Sequence, residues 1–365
     1  MNPEVGRELA EQTARVVLST DREGLHRKIA AERLGISYGT LRHRLRVCRD
    51  RFHIDIPRIT PNKKPAEPER PVFPDKNLPI EKYIDGLCDN FEKQAEYEAA
   101  REWFTIKMPD DRPWADVYFG DPHIDSNPGC NWPKLREDCA TVAKTDGMYG
   151  VDVGDVVDGW GARLAHLYAE SDTSVENSWR LVEWFYNEAL TNKKGANKWK
   201  VRIRGNHDQM RLDVPEVLDR ICKYQVPAFK DEAKFYQKCP NGFVAPCWVR
   251  HDFPGHSQWW GGHSMQKAAL MKSAAGLYVC GHKHNWMLHH DEHPDQGFVY
   301  WLARARGYKF FDSHTKKLGY SEQQYGCSLV AVYNPKARSE PGRLQCYVDV
   351  QEAAEYLTYL RKKHK

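Results

Sequence analysis

The sequence predicts an α/β domain with two central sheets flanked by helices (an α+β sandwich), preceded by a small all-α module. From about residue 113, apolar runs of strand length alternate with helical stretches, as is typical of α/β domains. Before them, residues 57–80 hold seven prolines among polar residues, a composition that predicts an extended linker. These shifts predict four segments: a module over 1–56, the linker over 57–80, a connecting helix over 81–112 and the large domain over 113–365.

The large domain shows a regular order of predicted elements. Five apolar runs have the length of strands: 115–119, 148–153, 199–203, 247–249 and 277–280. Helices are expected over 133–144, 173–191, 264–275 and 351–363. A second sheet is expected to be closed by antiparallel strands over 298–303, 327–333 and 343–350.

Each of the five apolar runs is followed directly by polar residues that can bind a metal. In chain order these residues are Asp121 and His123, Asp155 and Asp158, Asn206 and His207, His251, and His282 and His284. A strand holds its backbone firmly, so a side chain just past its carboxyl end can be aimed precisely and still reach solvent. The repetition predicts that these side chains meet at one site.

The residue types indicate the kind of ion. Carboxylate and amide oxygens mixed with imidazole nitrogens favour Mn, Fe, Zn or similar metals, and no thiolate is involved. Two ions need a bridging carboxylate, and Asp155 is the natural bridge. We expect two divalent ions, with Mn²⁺ as the first expectation and Fe, Zn or Mg as alternatives.

The motifs have the order D-x-H, G-D-x-x-D, G-N-H-D, H and G-H-x-H over residues 120–284. This order resembles the calcineurin-like metallophosphoesterase superfamily. The resemblance implies that fold and a dinuclear hydrolytic site. It implies one ion on Asp121, His123, Asp155 and His284. It implies a second ion on Asp155, Asn206, His251 and His282. It also makes His207 the catalytic imidazole, oriented by Asp158.

Several residues near the motifs have two interpretations. His256 and His263 lie close to His251 in the sequence, and His251 is preferred because it directly follows an apolar run. Asp208 is expected to orient its loop rather than to bind an ion. A third metal at His289, His290 and His293 is less favoured than a solvated loop. The pair Trp259-Trp260 predicts either core packing or a platform on which a base stacks.

The N-terminal module carries the excess positive charge of the chain. Residues 1–60 hold 12 Lys and Arg against 8 Asp and Glu, which accounts for the whole net charge of +4. Helices are expected over 7–18, over 25–34 and, with Ser37 as N-cap, to about 49. The segment 30–41 resembles a helix-turn-helix, whose recognition helix would expose Arg42, His43, Arg46 and Arg49. DNA binding through basic residues 22–58 and the catalytic cleft is expected ahead of protein docking.

Compartment and assembly are predicted from composition. Ten cysteines without a C-x-x-C pair predict buried reduced thiols in a cytoplasmic protein. Neither a secretory signal nor a membrane span is predicted, and a homo-oligomer is left open. The helix over 80–103 is expected to pack across the edge of the catalytic domain. Two further segments, Gly307-Tyr308-Lys309 and the region of Asp349, resemble those of phage-encoded members of the same superfamily. This resemblance would place the protein in the host cytoplasm.

The expected activity is hydrolysis of phosphoester bonds, with nucleic-acid phosphodiesters as the first substrate class. In the protein-phosphatase branch an arginine follows the D-x-x-D unit, whereas Gly159 stands here. Two alternatives stay open. One is a phosphomonoesterase, acting on nucleotides or proteins, with a docking N-terminal module. The other is a non-enzymatic DNA-binding adaptor.

Overall fold

A computed structural model gives the fold of two compact units, Met1–Ile80 and Glu81–Lys365. It describes residues 6–22, 26–57, 79–124, 129–170, 174–211, 213–222, 226–257, 259–309, 326 and 328–364. Most of the predicted linker, residues 58–78, therefore lies outside the described residues.

In the part of the first unit that the structure describes, there are three helices up to residue 57: α1 (Arg7–Arg22), α2 (Arg27–Arg33) and α3 (Tyr38–Asp50). Its small core includes Ala30, Leu41 and Leu45, with α1 packed against them. The predicted N-cap of α3 is confirmed, because the Thr40 amide donates to Ser37 Oγ at 3.1 Å. A turn at 34–37 joins α2 to α3, as a helix-turn-helix requires.

The predicted basic face of α3 is largely exposed. Arg42, His43 and Arg46 are exposed, whereas Arg49 is half-buried and its Nε donates to the carbonyl of Leu45. Three of the four predicted side chains are therefore accessible to a partner.

Within its described residues, the second unit combines six helices with twelve strands. The helices are α4 (Ile80–Glu102), α5 (Trp132–Lys144), α6 (Val175–Asn187), α7 (Val214–Ile221), α8 (His263–Met271) and α9 (Val350–Lys363). The strands are β1 (Phe104–Lys107), β2 (Trp114–Phe119), β3 (Met148–Asp152), β4 (Trp199–Ile203), β5 (Ala228–Phe229), β6 (Glu232–Lys238), β7 (Val244–Arg250), β8 (Leu277–Cys280), β9 (Met287–Glu292), β10 (Val299–Arg304), β11 (Leu329–Tyr333) and β12 (Leu344–Tyr347). Short 3₁₀ segments lie at Ala162–Glu170, His207–Gln209 and Pro341–Arg343.

The strands form two mixed six-stranded sheets. One sheet has the order β12-β11-β2-β3-β4-β5, in which β2 to β5 are parallel. The other has the order β1-β6-β7-β8-β10-β9, in which β7, β8 and β10 are parallel. The structure therefore confirms the prediction of two sheets flanked by helices.

One detail of the sheet prediction is wrong. The three C-terminal strands do not close one sheet together: β10 lies between β8 and β9, whereas β11 and β12 extend the sheet of β2. The reason is that β11 pairs antiparallel with β2, which places Val330 opposite Val117. An apolar run predicts a buried strand but does not specify its neighbour.

The layers follow from the alternation of side chains along the central strands. On β2, Ala115, Val117 and Phe119 join the core formed with α5, α6, α7 and α9. Trp114 and Tyr118 point the other way, into the core between the sheets. The outer face of the second sheet packs on α8 through residues such as Tyr278 and Met265. The order of layers is helices, sheet, sheet, helix.

The helix α4 differs from its prediction. It was expected to pack across the edge of the domain, but none of its residues, all of which are described, is buried. Its contact with the body is near the carboxyl end, where the Arg101 guanidinium lies 3.9 Å from the centre of the Phe229 ring and donates to the Ala228 carbonyl.

The structure also bears on the expectations about membrane-spanning helices and about the cysteines. Among the described residues, no helix has both the length and the apolar character that crossing a bilayer requires. The nine cysteines in the described part of the chain are free, and seven of them are buried. The thiols therefore act mainly as packing residues, as predicted.

A buried polar network joins the two sheets. Lys200 Nζ on β4 lies 2.5 Å from Asp116 Oδ1 on β2, and Gln237 Nε2 on β6 donates to Asp116 Oδ2 at 2.7 Å. Asp116 is fully buried. Removing one partner of such a pair leaves the other charge without compensation in the core.

We predict that Asp116→Asn lowers the free energy of unfolding by about 3–5 kcal/mol. The control is Glu216→Gln, which breaks the exposed pair with Arg220 and should cost about 0–1 kcal/mol. Chemical denaturation of both variants measures the difference. Equal small effects would contradict a structural role for the buried pair.

Candidate metal centre

The candidate site lies where five strands end. β2, β3 and β4 are adjacent and parallel, and the first three motifs follow their carboxyl ends. His251 follows β7, and the last motif follows β8, which is adjacent and parallel to β7. Because the two sheets face each other, ligands from both meet at one edge of the sandwich.

A first group gathers Asp121, His123 and His284. His284 Nε2 lies 3.1 Å from Asp121 Oδ2 and 3.4 Å from His123 Nε2. Asp121 is fully buried, and neither of its carboxylate oxygens accepts a hydrogen bond of good geometry from a described residue. Buried carboxylates are costly unless a cation or a donor compensates them. This group therefore has the composition and the unmet need of a cation site.

A second group gathers Asp155, Asn206 and His251. His251 Nε2 lies 3.1 Å from Asp155 Oδ2 and 3.0 Å from Asn206 Oδ1. His282 belongs to the same cluster, because its ring nitrogen, a His251 nitrogen and an Asp155 oxygen lie within 4.8 Å of one another. His251 Nδ1 also lies 3.8 Å from Asp121 Oδ1. The two groups are therefore neighbours.

His251 rather than His256 occupies the site. The His251 side chain is buried, and its Nδ1 donates to the Val153 carbonyl at 2.9 Å, which leaves Nε2 for the site. His256 is about 40% exposed and pairs with Asp252. A main-chain acceptor that fixes the far nitrogen is typical of histidines that bind metals.

Five of the seven predicted ligands have left-handed backbone angles. They are Asp121, His123, Asp155, His282 and His284, with φ between 44° and 67°. Among the described non-glycine residues, His53 is the sixth with positive φ. Such angles are disfavoured for residues with a Cβ and concentrate at functional sites. At these five residues the strained backbone turns each ligand side chain toward the site.

Close approach of the second and third motifs depends on Gly205. A Cβ on Gly205 would lie 2.1 Å from Asp155 Oδ1 and 2.4 Å from the Asp155 nitrogen. Only glycine lets the two backbones meet at this distance. The Asp155 carboxylate in turn accepts from the His207 amide at 2.8 Å.

The expectation for Asp208 is confirmed. Its carboxylate accepts from the amides of Gly205, Asp155, Val156 and Val157 at 2.8–3.3 Å. One buried side chain therefore fixes the loops after β3 and β4 to each other. Asp208 therefore orients the loops that carry the ligands.

Asp158 acts differently from the expectation. His207 Nδ1 donates to the main-chain carbonyl of Asp158 at 2.6 Å. The Asp158 carboxylate instead lies 2.8 Å from His123 Nδ1 and 2.5 Å from Lys309 Nζ. The residue thus orients His207 through its backbone and His123 through its side chain, because the carboxylate is closer to the ring of the first motif.

Two residues with contacts in this region had no predicted role in the site. Lys309, 3% exposed, pairs with Asp158 and lies 5.3 Å from the Trp160 ring. Asp252 pairs with His256 and lies 3.9 Å from His282 Nε2. The sequence placed Asp252 beside His251 and Lys309 after a strand, but neither belongs to a motif.

The imidazoles of the two groups differ in charge state. Burial lowers the pKa of His123 to about 4, against the opposing effect of Asp158, so this ring is neutral. Burial opposes protonation of His251 as well, but Asp155 and Asp121 outweigh it and raise the pKa of His251 to about 10. His251 lowers the pKa of Asp155 below its usual range, despite burial. A proton on His251 Nε2 therefore sits between two oxygens that a cation would also bind.

The residues present fit two divalent ions. Two of the described clusters are geometrically suited to a metal, His123 with Asp158 and His207, and Asp155 with His251 and His282. In the first cluster, Asp158 and His207 are engaged with other groups: the Asp158 carboxylate contacts His123 and Lys309, and His207 Nδ1 donates to the Asp158 carbonyl. The second cluster and the Asp121 group contain the predicted ligands of two adjacent ions.

Comparisons with known proteins add little. No protein-family model matches the chain, and no curated protein matches it. Among solved structures, the chain is similar to "GAP50 the anchor in the inner membrane complex of Plasmodium", with 11% sequence identity, 68% of this chain and 95% of that chain covered, and a TM-score of 0.30. A likeness of this size carries no argument about function.

The chain contains a mixed α/β unit with two sheets flanked by helices, and this unit brings carboxylates, an amide and imidazoles to one edge.

We predict that binding of an ion to the second group releases about one proton at pH 7.5. The His251 imidazole is protonated there and must lose that proton to bind through Nε2. Because the pKa of His251 is raised, protons compete more strongly with the ion for Nε2 as the pH falls. Affinity should weaken about tenfold per pH unit below about 10.

Calorimetry of Mn²⁺ binding in buffers of different ionisation enthalpy measures the released proton. The His251→Asn variant is the control and should release about one proton less per chain. Binding without proton release in the unaltered protein would contradict the role of His251.

Proposed function

We propose that the second unit is a hydrolase of phosphoester bonds that depends on two divalent ions, of the calcineurin-like metallophosphoesterase type. The observation that carries this proposal is the meeting of seven ligand-type side chains from five strand ends in two adjacent groups. When bound, the two ions would neutralise charge on the phosphoryl oxygens and lower the pKa of the attacking water. Mn²⁺ is our first choice for both positions.

The chain's own residues would divide the remaining work. His207 Nδ1 is engaged by the Asp158 carbonyl, so Nε2 is the nitrogen that can give a proton to the leaving oxygen. The His207 ring lies between the rings of His123 and Trp160, at centroid distances of 5.1 and 5.2 Å. These contacts restrict the imidazole to one orientation.

The substrate class that we propose is nucleic-acid phosphodiesters, with DNA first. The net positive charge belongs to the first 60 residues, and α3 exposes Arg42, His43 and Arg46. Basic surfaces of this kind bind phosphate backbones. The first unit would hold DNA while the second cleaves it.

Gly159 argues against the protein-phosphatase alternative. Its φ is +54°, and a Cβ there would lie 2.3 Å from the His207 carbonyl oxygen. An arginine at this position would clash with the backbone that presents His207. The phosphate-binding arginine of that branch is thus incompatible with the local geometry.

We predict that two substitutions separate ion binding from turnover. Asp155→Asn should lose ions and activity together, because Asp155 is the proposed bridge. His207→Asn should keep its ions and lose activity by about 10²–10⁴-fold, the usual contribution of a general acid. Metal analysis after dialysis and hydrolysis of DNA with Mn²⁺ measure both quantities.

The substrate panel compares single-stranded DNA, duplex DNA, cyclic dinucleotides and a small phosphomonoester. The matched control is Asn192→Asp, outside the site. Hydrolysis of the monoester but of no DNA would favour the phosphomonoesterase alternative. Fewer than one ion per chain would favour the non-enzymatic adaptor, and wild-type rates in His207→Asn would exclude His207 as the acid.

A further inference from the structure

One indole, on the segment between His251 and α8, is almost fully exposed to solvent. Trp259 is 95% exposed, although tryptophan is highly buried on average. Its neighbour Trp260 is half-buried and meets the His289 ring at a centroid distance of 5.6 Å. The two adjacent indoles therefore have different environments, and only Trp260 contributes to packing.

The loop that carries Trp259 is bound to the ligand loops at both ends. It begins at His251, and its other end is held by Arg304, which is 4% exposed. Arg304 Nη1 donates to Asn285 Oδ1 at 2.8 Å, and Nη2 donates to the Gly261 carbonyl. Asn285 directly follows His284. One buried guanidinium thus joins the Trp259 loop to the loop of the last motif.

The ligand loop adds two more groups suited to a nucleotide chain. Trp286 is 46% exposed and follows Asn285. Lys283 is half-buried, between the two histidines of the last motif. Exposed aromatic rings next to a cation are the usual elements of surfaces that bind single-stranded nucleic acid.

We infer that Trp259 stacks on an unpaired base of the substrate and that the site therefore takes single-stranded or locally unpaired nucleic acid. This inference rests on the proposed function and specifies its substrate. In a duplex both faces of a base are covered by its neighbours, and unstacking costs a few kcal/mol. An unpaired base offers a free face to the exposed indole. Stacking does not select the base, because every base has a π-face.

The first test compares two chromogenic phosphodiesters with Mn²⁺. Thymidine 5′-(p-nitrophenyl phosphate) carries a base, whereas methyl p-nitrophenyl phosphate has the same leaving group without one. Trp259→Ala should raise KM for the thymidine ester at least about fivefold and leave the methyl ester unchanged. Trp259→Phe should retain most of the affinity, since it keeps an aromatic face. Tyr359→Ala, which removes an exposed ring on α9, should change neither substrate.

The second test measures binding rather than turnover. Fluorescence anisotropy of a labelled oligonucleotide, with EDTA and the full chain, gives the affinity for one sequence as a single strand and as a duplex. Trp259→Ala should weaken single-strand binding at least about fivefold and leave duplex binding unchanged. Equal effects on both forms, or none, would overturn the stacking inference. If wild-type protein hydrolyses neither ester, the proposed function fails, and the anisotropy result alone decides the role of Trp259.

Discussion

The structure depends on one fully buried carboxylate, that of Asp121, to which the described residues donate no well-formed hydrogen bond. Beside it, the facing nitrogens of His123 and His284 lie 3.4 Å apart, where at most one proton fits between them. A cation would satisfy the lone pairs of all three side chains at once. Binding of a cation would explain why the backbone tolerates strained φ angles at the ligands and why two loops approach each other closely at Gly205.

The sequence predicted most elements and the membership of the site, because both have local signals. An apolar run followed by a ligand identifies a strand end, and all five such strands are present. It did not predict β6 and β9, whose polar residues conceal the alternation, nor which sheet β10 and β11 would join. Neighbours in a sheet are chosen by long-range packing, which a single sequence does not display.

The roles within the site were harder to predict than its members. Asp158 was assigned to His207 by motif, yet its carboxylate lies against His123 and Lys309. Small differences in the turns after three strands decide which of two nearby imidazoles a carboxylate contacts. The preference for His251 over His256, drawn from the apolar run before it, is supported by its burial and by its contacts with Asp155 and Asn206.

The proposed activity joins two units that each have their own hydrophobic core. A basic helical unit would raise the local concentration of nucleic acid around a hydrolytic unit whose own net charge is close to zero. Affinity for the polymer and specificity at the cleaved bond would then be separable properties. Substitutions on α3 would weaken binding of single-stranded and duplex DNA alike, whereas those at Trp259 would weaken binding of single strands alone.

Electron paramagnetic resonance of the protein titrated with Mn²⁺ tests the central claim most directly, because ions that share a bridging carboxylate are magnetically coupled. With two equivalents of Mn²⁺, we expect an exchange-coupled spectrum that disappears in Asp155→Asn. A spectrum of isolated Mn²⁺ ions at every ratio, or no bound ion at all, would contradict a dinuclear site held by Asp155.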